Sequence, residues 1–270
     1  MNKNKIYIRL KGGLGNQLFI YAFAIYCKTH LGCDVLIDDF TGYIKDVYGG
    51  KPMLERIGIK FKKTTVLENL YITLCRKKVF GNLTYLNLER DPDIIFDDKK
   101  FKNKNLYIEG YFQNIKYFNK IKQTIFQKIN IDLIDLNQND YIKKINPLND
   151  ICLHHRIAFY DFNIESLFFE KAFETIESKI DRPKYYVFSD SIEVSKKYFS
   201  TFNDKEFIFV QNKSDLEDFK LMTFFKNYIL TIGTFGIWAA LLSNKKNKII
   251  LKPKKNATIN EAFPLESISI

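Results

Sequence analysis

The stretch KGGLGNQLF, residues 11–19, decides how the chain begins to fold. It follows an alternating apolar segment at residues 5–10, which predicts a β-strand, and it leads into the apolar residues 19–27, which predict a buried helix. Glycine at three of four consecutive positions lets the backbone take positive φ angles and approach a neighbour closely. The N–H groups in the first turn of a helix lack helical partners, so this turn can bind an anion or can simply connect the strand to the helix. The run matches neither G-x-G-x-x-G nor G-x-x-x-x-G-K-S/T, and the residues alone leave both interpretations open.

The composition predicts a globular protein with a substantial core. Of the 270 residues, 46% are hydrophobic and 27% are charged, which is typical of one large domain or two domains of ordinary size. The four cysteines form no C-x-x-C pair and have no metal-site spacing with the three histidines, which favours a reducing, cytoplasmic compartment. No segment has the roughly 18 apolar residues of a membrane helix, and the first residues show no apolar export signal. We therefore expect neither a membrane span nor secretion.

The chain is strongly basic, with a net charge of +11 and a pI near 9.2. Such a charge attracts nucleic acids, anionic membrane surfaces and nucleotide diphosphates alike. The lysines are scattered along the chain, and the aromatic residues fall at apolar, periodic positions. Nucleic-acid binding needs a basic stripe or an exposed stacking surface, so we expect no nucleic-acid partner.

The pattern of apolar segments predicts two α/β domains. Residues 35–38 form the second expected strand, so the chain starts as β-α-β, whereas residues 40–98 show little regular alternation. After the segment NPLND at residues 146–150, strands and helices alternate regularly, which is typical of a doubly wound parallel sheet. The boundary is expected near Pro147, giving domains at residues 1–146 and 147–270. The expected strands of the second domain are residues 151–155, 185–189, 206–210, 228–231 and 248–251, and its helices lie near residues 165–180, 192–199, 214–225 and 235–242.

Polar residues or glycine follow three of these strands. In a parallel sheet, ligands bind beyond the carboxyl ends of the strands, so these positions are candidates for a binding site. The groups are HHR at residues 154–156, SDS at residues 189–191 and TIGT at residues 231–234. The planar guanidinium of Arg156 could clamp a diphosphate, and the backbone amides that open the helix at Phe235 could bind the same anion.

Each group also has a purely structural interpretation. Residues 189–191 are suited to capping the next helix. Either His154 or His155 can be a hydrogen-bonded core histidine, and Arg156 can have the purely structural role of pairing with a carboxylate such as Asp190. Trp238 lies on an apolar helix, where packing explains it better than sugar binding.

Taken together, the motifs resemble those of the bacterial α-1,2-fucosyltransferases, glycosyltransferase family 11. The resemblance begins with the glycine-rich run and recurs along nearly the whole chain. The segments that carry it are GGLGNQLFIYAFA at residues 12–24, EGYFQ at 109–113, HHR at 154–156, VFSD at 187–190, DLEDFKLM at 215–222 and TFGIWAALL at 234–242.

This resemblance implies a GT-B-like fold of two Rossmann-type domains with a cleft between them. It also implies an inverting enzyme that transfers L-fucose from GDP-fucose to a galactose-containing acceptor through an α-1,2 linkage, in surface polysaccharide synthesis. The first domain would be the acceptor side and the second would bind the nucleotide sugar. The partners would be the donor and a glycan or lipid-linked oligosaccharide, with peripheral contact to the inner face of the membrane.

The resemblance also implies roles for particular residues. Arg156 would neutralise the donor diphosphate, with His154 beside it and Asn16 from the first domain as the third member of the catalytic set. The nucleotide and phosphates would be bound by the remaining positions of the matching motifs, which are Gly13, Gly15, Ser189, Asp190, Thr234 and Phe235.

No cofactor or metal is expected. Arg156 and a helix N-terminus can stabilise the departing diphosphate electrostatically, so a divalent ion would be redundant. The only Asp-x-Asp sequence, Asp91 to Asp93, contains a proline and is better explained as a surface turn. The general base is open among Glu109, Asp161 and Asp190, because sequence supplies no geometry.

One departure from the family pattern keeps other functions open. The family sequence His-x-Arg-Arg-Gly-Asp-Tyr is replaced by HHRIAFY at residues 154–160, which lacks the second arginine, the glycine and the aspartate. Another nucleotide sugar is therefore an alternative donor. A non-catalytic nucleotide-binding relative is the second alternative.

Overall fold

The computed structural model describes residues 5–44, 50–76, 83–88, 104–157, 162–231, 233–253 and 267–269. The chain divides into two compact units, Met1–Leu133 and Ile134–Ile270. The boundary expected at residues 146 and 147 falls within the second unit, and the acceptor and donor roles of the two domains stay predictions. Within the described part of the chain, no helix has both the length and the apolar character that a membrane crossing requires.

The first unit is built on a parallel four-stranded sheet with the order β2-β1-β4-β3. The expected β-α-β start is confirmed, while β3 lies in the region where the sequence shows no regular alternation. The elements are β1 (Lys5–Arg9), α1 (Leu14–His30), β2 (Asp34–Asp38), α2 (Val66–Arg76), β3 (Leu83–Asn87), β4 (Asn105–Glu109) and α3 (Ile115–Lys128), with short 3-10 turns at Leu54–Ile57 and Ile131–Leu133.

The helix α1 is buried around its whole circumference from Leu14 to Cys27, apart from the half-buried Asn16. This burial explains why its sequence is apolar at nearly every position rather than on one stripe. Gln17 is the polar exception inside the core. Its amide nitrogen donates to the carbonyl oxygens of Gly12 and Lys51, each at 2.8 Å, and its Oε1 accepts from Met53 N at 2.8 Å. Gln17 therefore fixes the glycine-rich turn against a neighbouring loop.

The second unit is a parallel six-stranded sheet with the order β7-β6-β5-β8-β9-β10. This is the Rossmann order, in which the chain moves outward from β5 in one direction and then returns to start again at β8 on its other side. The α/β fold class is confirmed, with β10 as an addition that the sequence pattern did not predict. The elements are β5 (Ile151–His155), α4 (Phe162–Glu177), β6 (Lys184–Ser189), α5 (Ile192–Phe199), β7 (Glu206–Phe209), α6 (Asp215–Met222), β8 (Asn227–Leu230), α7 (Thr234–Leu242), β9 (Ile250–Lys252) and β10 (Ser267–Ser269).

Aromatic packing holds one face of this sheet. Phe169 and Phe173 of α4 are buried and contact Phe199 of α5, with ring centroids 5.0 Å and 6.4 Å apart. The central strands are covered on both faces, so they read as continuous apolar runs such as ICL and YYVF. This packing places the carboxyl ends of β5 and β8 side by side at the point where the strand order reverses.

Candidate functional site

The carboxyl ends of β5 and β8 are joined by one threonine. Thr231 N donates to the carbonyl oxygen of His154 at 3.1 Å, and Thr231 Oγ1 donates to the same oxygen at 2.8 Å. Thr231 Oγ1 also accepts from Arg156 N at 2.9 Å. Because Thr231 is buried, these bonds fix the backbone of Arg156 at the switch point of the sheet.

Arg156 is paired with Asp190, which follows β6. Its Nε lies 3.3 Å from Asp190 Oδ2, and Asp190 Oδ1 accepts from Ile157 N at 2.8 Å. The predicted pairing of Arg156 with this carboxylate is therefore confirmed as a contact. The Arg156 side chain is still 38% exposed, so the ion pair orients the guanidinium without burying it.

His154 is buried beneath the same edge. Its Nδ1 has no hydrogen-bond partner among the described residues, and its ring lies 5.9 Å from the ring of Phe235. Burial, and then the charge of Arg156, lower the pKa of His154 to about 4, so the imidazole is neutral at neutral pH. A Cβ at Gly236 would lie 2.9 Å from His154 Nδ1, so glycine is required where α7 passes the imidazole.

The sequence left open which of His154 and His155 is the hydrogen-bonded core histidine, and the structure shows that it is His155. It is fully buried, its ring contacts Phe169 and Phe199, and its Nδ1 lies 2.9 Å from Ser195 Oγ. Ser195 Oγ lies in turn 2.8 Å from Ser189 Oγ. Ser189 therefore belongs to a polar chain that runs into the core.

Residues 189–191 were expected to cap the helix α5, but no side-chain capping bond is made there. Ser191 occupies the N-cap position, but its hydroxyl makes no capping hydrogen bond. Instead, Ser191 N donates to Ser189 Oγ at 3.1 Å. Asp190, which the capping interpretation placed within the same segment, reaches across to β5 and contacts Arg156 and Ile157.

The N-terminus of α7 lies beside His154 and Arg156. Gly233 precedes the helix with a φ of +127°, a backbone conformation that favours glycine, and a Cβ there would lie 3.8 Å from His154 Cε1 and 4.0 Å from Arg156 Cγ. The first turn of α7 contains no acidic residue. Thr234 is buried in that turn, and Phe235 packs between His154 and Phe219. The amides of a helix N-terminus and a guanidinium thus meet at one edge, which suits an anion.

The glycine-rich turn of the first unit supplies the remaining predicted residues. Gly12 has a φ of +70°, Gly13 is exposed at the N-cap of α1, and Gly15 is buried in its first turn. Asn16 is half-buried, and its Oδ1 accepts from Gln113 Nε2 at 3.0 Å. The structure therefore brings Gly13, Gly15 and Asn16 together with Gln113 at the carboxyl end of β1.

Glu109, one candidate for the general base, forms ion pairs and a hydrogen bond with three side chains. Its carboxylate pairs with Arg9, lies 3.2 Å from Lys11 Nζ and accepts from the Tyr85 hydroxyl at 2.7 Å. Burial acts to raise the pKa of Glu109, but the hydrogen bond from Tyr85 and the two cations hold it below its usual value. Such a carboxylate is a weak base. Asp161 and the Asp91 to Asp93 turn lie outside the described residues.

Asp218 is a titratable group that sequence reasoning did not single out, although it lies inside the motif at residues 215–222. It lies in the first turn of α6, where burial raises its pKa to about 7. Asn212 Nδ2 donates to Asp218 Oδ1 at 2.8 Å, and the neighbouring Phe219 contacts Phe235 with ring centroids 5.1 Å apart. An acid at the start of a helix is common, so only burial distinguishes this one. Among the described residues, no group of three or more His, Cys, Asp or Glu side chains has the arrangement of a metal site.

The sequence pattern of glycosyl transferase family 11 matches residues 59–263. The chain belongs to this family. It is therefore a glycosyltransferase of the fucosyltransferase-like type, which uses a nucleotide-sugar donor and a glycan acceptor. The matched residues begin after the glycine-rich run, so the assignment rests on the rest of the chain.

Two curated relatives from Escherichia coli are similar over nearly their whole length. An alpha-1,2-colitosyltransferase is 26% identical over 277 residues, covering 92% of this chain and 91% of the relative. The O-antigen biosynthesis glycosyltransferase WbnK is 27% identical over 288 residues, covering 93% and 94%.

Solved structures support the fold. A NodZ alpha-1,6-fucosyltransferase soaked with GDP-fucose has a TM-score of 0.52 at 14% identity, covering 94% of this family 11 chain and 96% of its own. The fucosyltransferase NodZ from Bradyrhizobium has a TM-score of 0.50 at 15% identity, covering 90% and 94%. At these identities the likeness shows the GT-B-like fold alone.

Proposed function

We propose that this family 11 glycosyltransferase transfers L-fucose from GDP-fucose to a galactose-containing glycan, with inversion and an α-1,2 linkage, during surface polysaccharide synthesis. One observation carries the proposal. Arg156 is held by Thr231 and Asp190 beside the N-terminus of α7, at the switch point of a Rossmann-type sheet. This arrangement suits the diphosphate of a nucleotide sugar.

The proposed reaction needs electrostatic help at the leaving group. As the bond between the sugar and the diphosphate breaks, positive charge develops on the ring and negative charge on the departing oxygen. Arg156 and the α7 amides stabilise that negative charge, and they are already in position before the reaction. The role proposed for them requires no divalent ion and no cofactor.

His154 has a positioning role in this proposal. With a pKa near 4 it stays neutral, so it neither repels the guanidinium of Arg156 nor supplies a proton at neutral pH. Its ring supports Phe235 at the start of α7, and Asp190 fixes the guanidinium from the other side. Ser189 and Thr234 are the hydroxyl-bearing residues proposed near the nucleotide.

The acceptor is proposed to bind at the first unit. Gly13, Gly15 and Asn16 lie at the start of α1, where backbone amides and the Asn16 side chain suit the oxygen atoms of a sugar or of a phosphate. A lipid-linked oligosaccharide is the proposed form of the acceptor. The enzyme would then work in the cytoplasm, in peripheral contact with the membrane.

A second donor is favoured by one specific observation. Ile157 stands where the family motif has its second arginine, so the site has one strong hydrogen-bonding side chain fewer. One relative is named a colitosyltransferase, and colitose has one ring hydroxyl fewer than fucose. A site that lost a polar contact would suit such a donor, so GDP-colitose is the second candidate.

Calorimetric titration with GDP-fucose, GDP-mannose, GDP and UDP tests the donor site. We expect guanine nucleotides to bind selectively and Arg156→Ala to weaken them about 100-fold, because a charge-assisted contact to phosphate is lost. Lys197→Ala, which removes an exposed cation on α5, is the matched control and should bind GDP like the original protein. Binding of UDP alone, or of no nucleotide, would overturn the assignment.

Turnover assays separate the remaining alternatives. GDP release in the presence of a galactoside, with kcat/KM compared for GDP-fucose and GDP-colitose, decides the donor sugar, and NMR of the product decides the linkage. Tight GDP-fucose binding with neither transfer nor donor hydrolysis would identify a non-catalytic relative.

A further inference from the structure

The net positive charge of the protein is concentrated in the first unit, because the second unit contains nearly as many acidic as basic residues. Residues 1–133 contain 23 Lys and Arg against 13 Asp and Glu, a net charge of +10, whereas residues 134–270 contain 19 against 18, a net charge of +1. The candidate donor site lies in the nearly neutral unit. Most of the net positive charge therefore lies in the unit that does not contain Arg156.

The helix α2 of that unit is held in place by an N-terminal capping box, an ion pair and a buried side chain. Thr65 and Glu68 form a capping box, in which Glu68 N donates to Thr65 Oγ1 at 3.2 Å and Thr65 N donates to Glu68 Oε2 at 2.9 Å. Glu68 is also bonded to Lys5 of β1 at 2.9 Å, and Ile72 is fully buried against the sheet. The orientation of α2 on the unit is thus fixed from both its start and its inner face.

The outer face of α2 is apolar where a surface helix is normally polar. Val66, Leu67 and Leu70 are 84%, 77% and 56% exposed. They lie within five residues, so they form one patch on the first half of the helix. Contiguous exposed apolar side chains on a rigid element mark an interaction surface.

Three lysines lie along the edge of the sheet to which α2 is tied. Lys5 lies at the amino end of β1, Lys104 is exposed immediately before β4, and Lys62 is exposed beside the first residue of β2. The amino ends of parallel strands share one edge of the sheet, and Glu68 ties α2 to that edge through Lys5. An apolar patch flanked by cations is the pattern of an element that lies in a lipid headgroup region.

We propose that the first unit docks onto an anionic lipid surface through the outer face of α2. Its net positive charge attracts the surface over a distance of about a Debye length, and Val66, Leu67 and Leu70 then insert below the headgroups. A second copy of the chain is a poorer partner for this face, since two units of high positive charge repel each other. The inference deepens the proposed function, because it gives a lipid-linked acceptor a route to the enzyme.

Vesicle co-sedimentation of the full chain tests the docking surface. The lipid is phosphatidylcholine with about 30% phosphatidylglycerol, compared with phosphatidylcholine alone. We expect binding to the anionic vesicles only, weakening steeply with added salt, and a loss of about tenfold or more in the variant Leu67→Gln/Leu70→Gln. The matched control is Leu148→Gln/Leu167→Gln, which changes leucines that are 63% and 55% exposed in the second unit. It should bind like the unchanged protein.

Three results would overturn this inference. They are an absence of binding to anionic vesicles at low salt, an equal loss in both double variants, and a change from dimer to monomer on Leu67→Gln/Leu70→Gln with vesicle binding unaltered. GDP titration of the same variants without vesicles keeps the two proposals apart. Vesicle binding without GDP binding refutes only the proposed GDP-sugar donor, whereas GDP binding without vesicle binding refutes only the docking surface.

Discussion

Replacing Thr231 by valine removes one buried hydroxyl and almost no volume. In the native protein that hydroxyl accepts from Arg156 N at 2.9 Å and donates to His154 O at 2.8 Å. The His154 carbonyl keeps a second donor, Thr231 N at 3.1 Å, but Arg156 N loses its bond to β8. The substitution therefore acts on the backbone that carries the guanidinium and leaves the shape of the core unchanged.

The expected effect follows from the cost of an unpaired donor. Leaving a partly buried N–H unsatisfied costs about 1–3 kcal/mol, and a value near 2 kcal/mol lowers the thermal midpoint of a unit of this size by roughly 4–8 °C. Because the released loop no longer holds Arg156 in one position, we expect GDP affinity to fall by about tenfold, equivalent to about 1.4 kcal/mol. Differential scanning calorimetry and GDP titration measure the two effects on the same sample.

The control is Thr231→Ser, which keeps the hydroxyl and removes a methyl group. It should cost about 1 kcal/mol of stability through the small cavity but should retain native GDP affinity. Because only Thr231→Val lacks the hydroxyl, it should bind GDP more weakly than Thr231→Ser. If Thr231→Val binds GDP as tightly as Thr231→Ser, the reasoning that links β8 to the donor site through this bond is refuted.

Three further predictions concern stability. The pKa of Asp218 is raised to about 7, so the native state holds a proton that the unfolded state releases near pH 4, and stability falls as pH rises through that window. Asp218→Asn should remove this fall, which is at most about 4 kcal/mol, and melting curves between pH 4 and 8 check it. A Cβ at Gly42 would lie 1.9 Å from the carbonyl oxygen of Leu10, so Gly42→Ala should cost about 3 kcal/mol in urea unfolding. A Cβ at Gly13 meets no atom of the described residues within 4 Å, so the control Gly13→Ala should cost under about 1 kcal/mol. Glu109→Gln leaves two partly buried cations without their shared carboxylate and should cost about 3–5 kcal/mol, and a loss under about 1 kcal/mol would show that the network is solvated.

Much of the second unit could be predicted from the sequence because its strands are buried on both faces. Continuous apolar runs bounded by polar residues predict such strands directly, and the alternation with helices predicts their parallel order. The strand β3 follows a different rule. Its side chains are only partly buried, and its sequence LTYLN has no clear pattern of period two, so its pairing with β4 depends on the neighbouring strand rather than on local sequence.

The candidate site was predictable as a set of positions but not as a set of contacts. The sequence identifies the polar residues at the ends of β5, β6 and β8, because parallel topology brings those ends to one edge. It does not distinguish His154 from His155, since adjacent strand residues point to opposite faces and only the packed helices decide what each face meets. His155 meets phenylalanines and Ser195, while His154 meets α7.

By its local patterns, the sequence alone determined the α/β class, the glycine-rich start of α1, the Rossmann-type second half and the family motifs. Apolar periodicity and turn chemistry are properties of neighbouring residues, so they can be read without a fold. Tertiary structure alone decided that Thr231 ties Arg156 to β8, that Glu109 is occupied by its cations and that α2 faces outward with its leucines. These outcomes depend on burial and on atoms distant in the chain, which set desolvation, hydrogen-bond partners and charge pairing only once the units are packed.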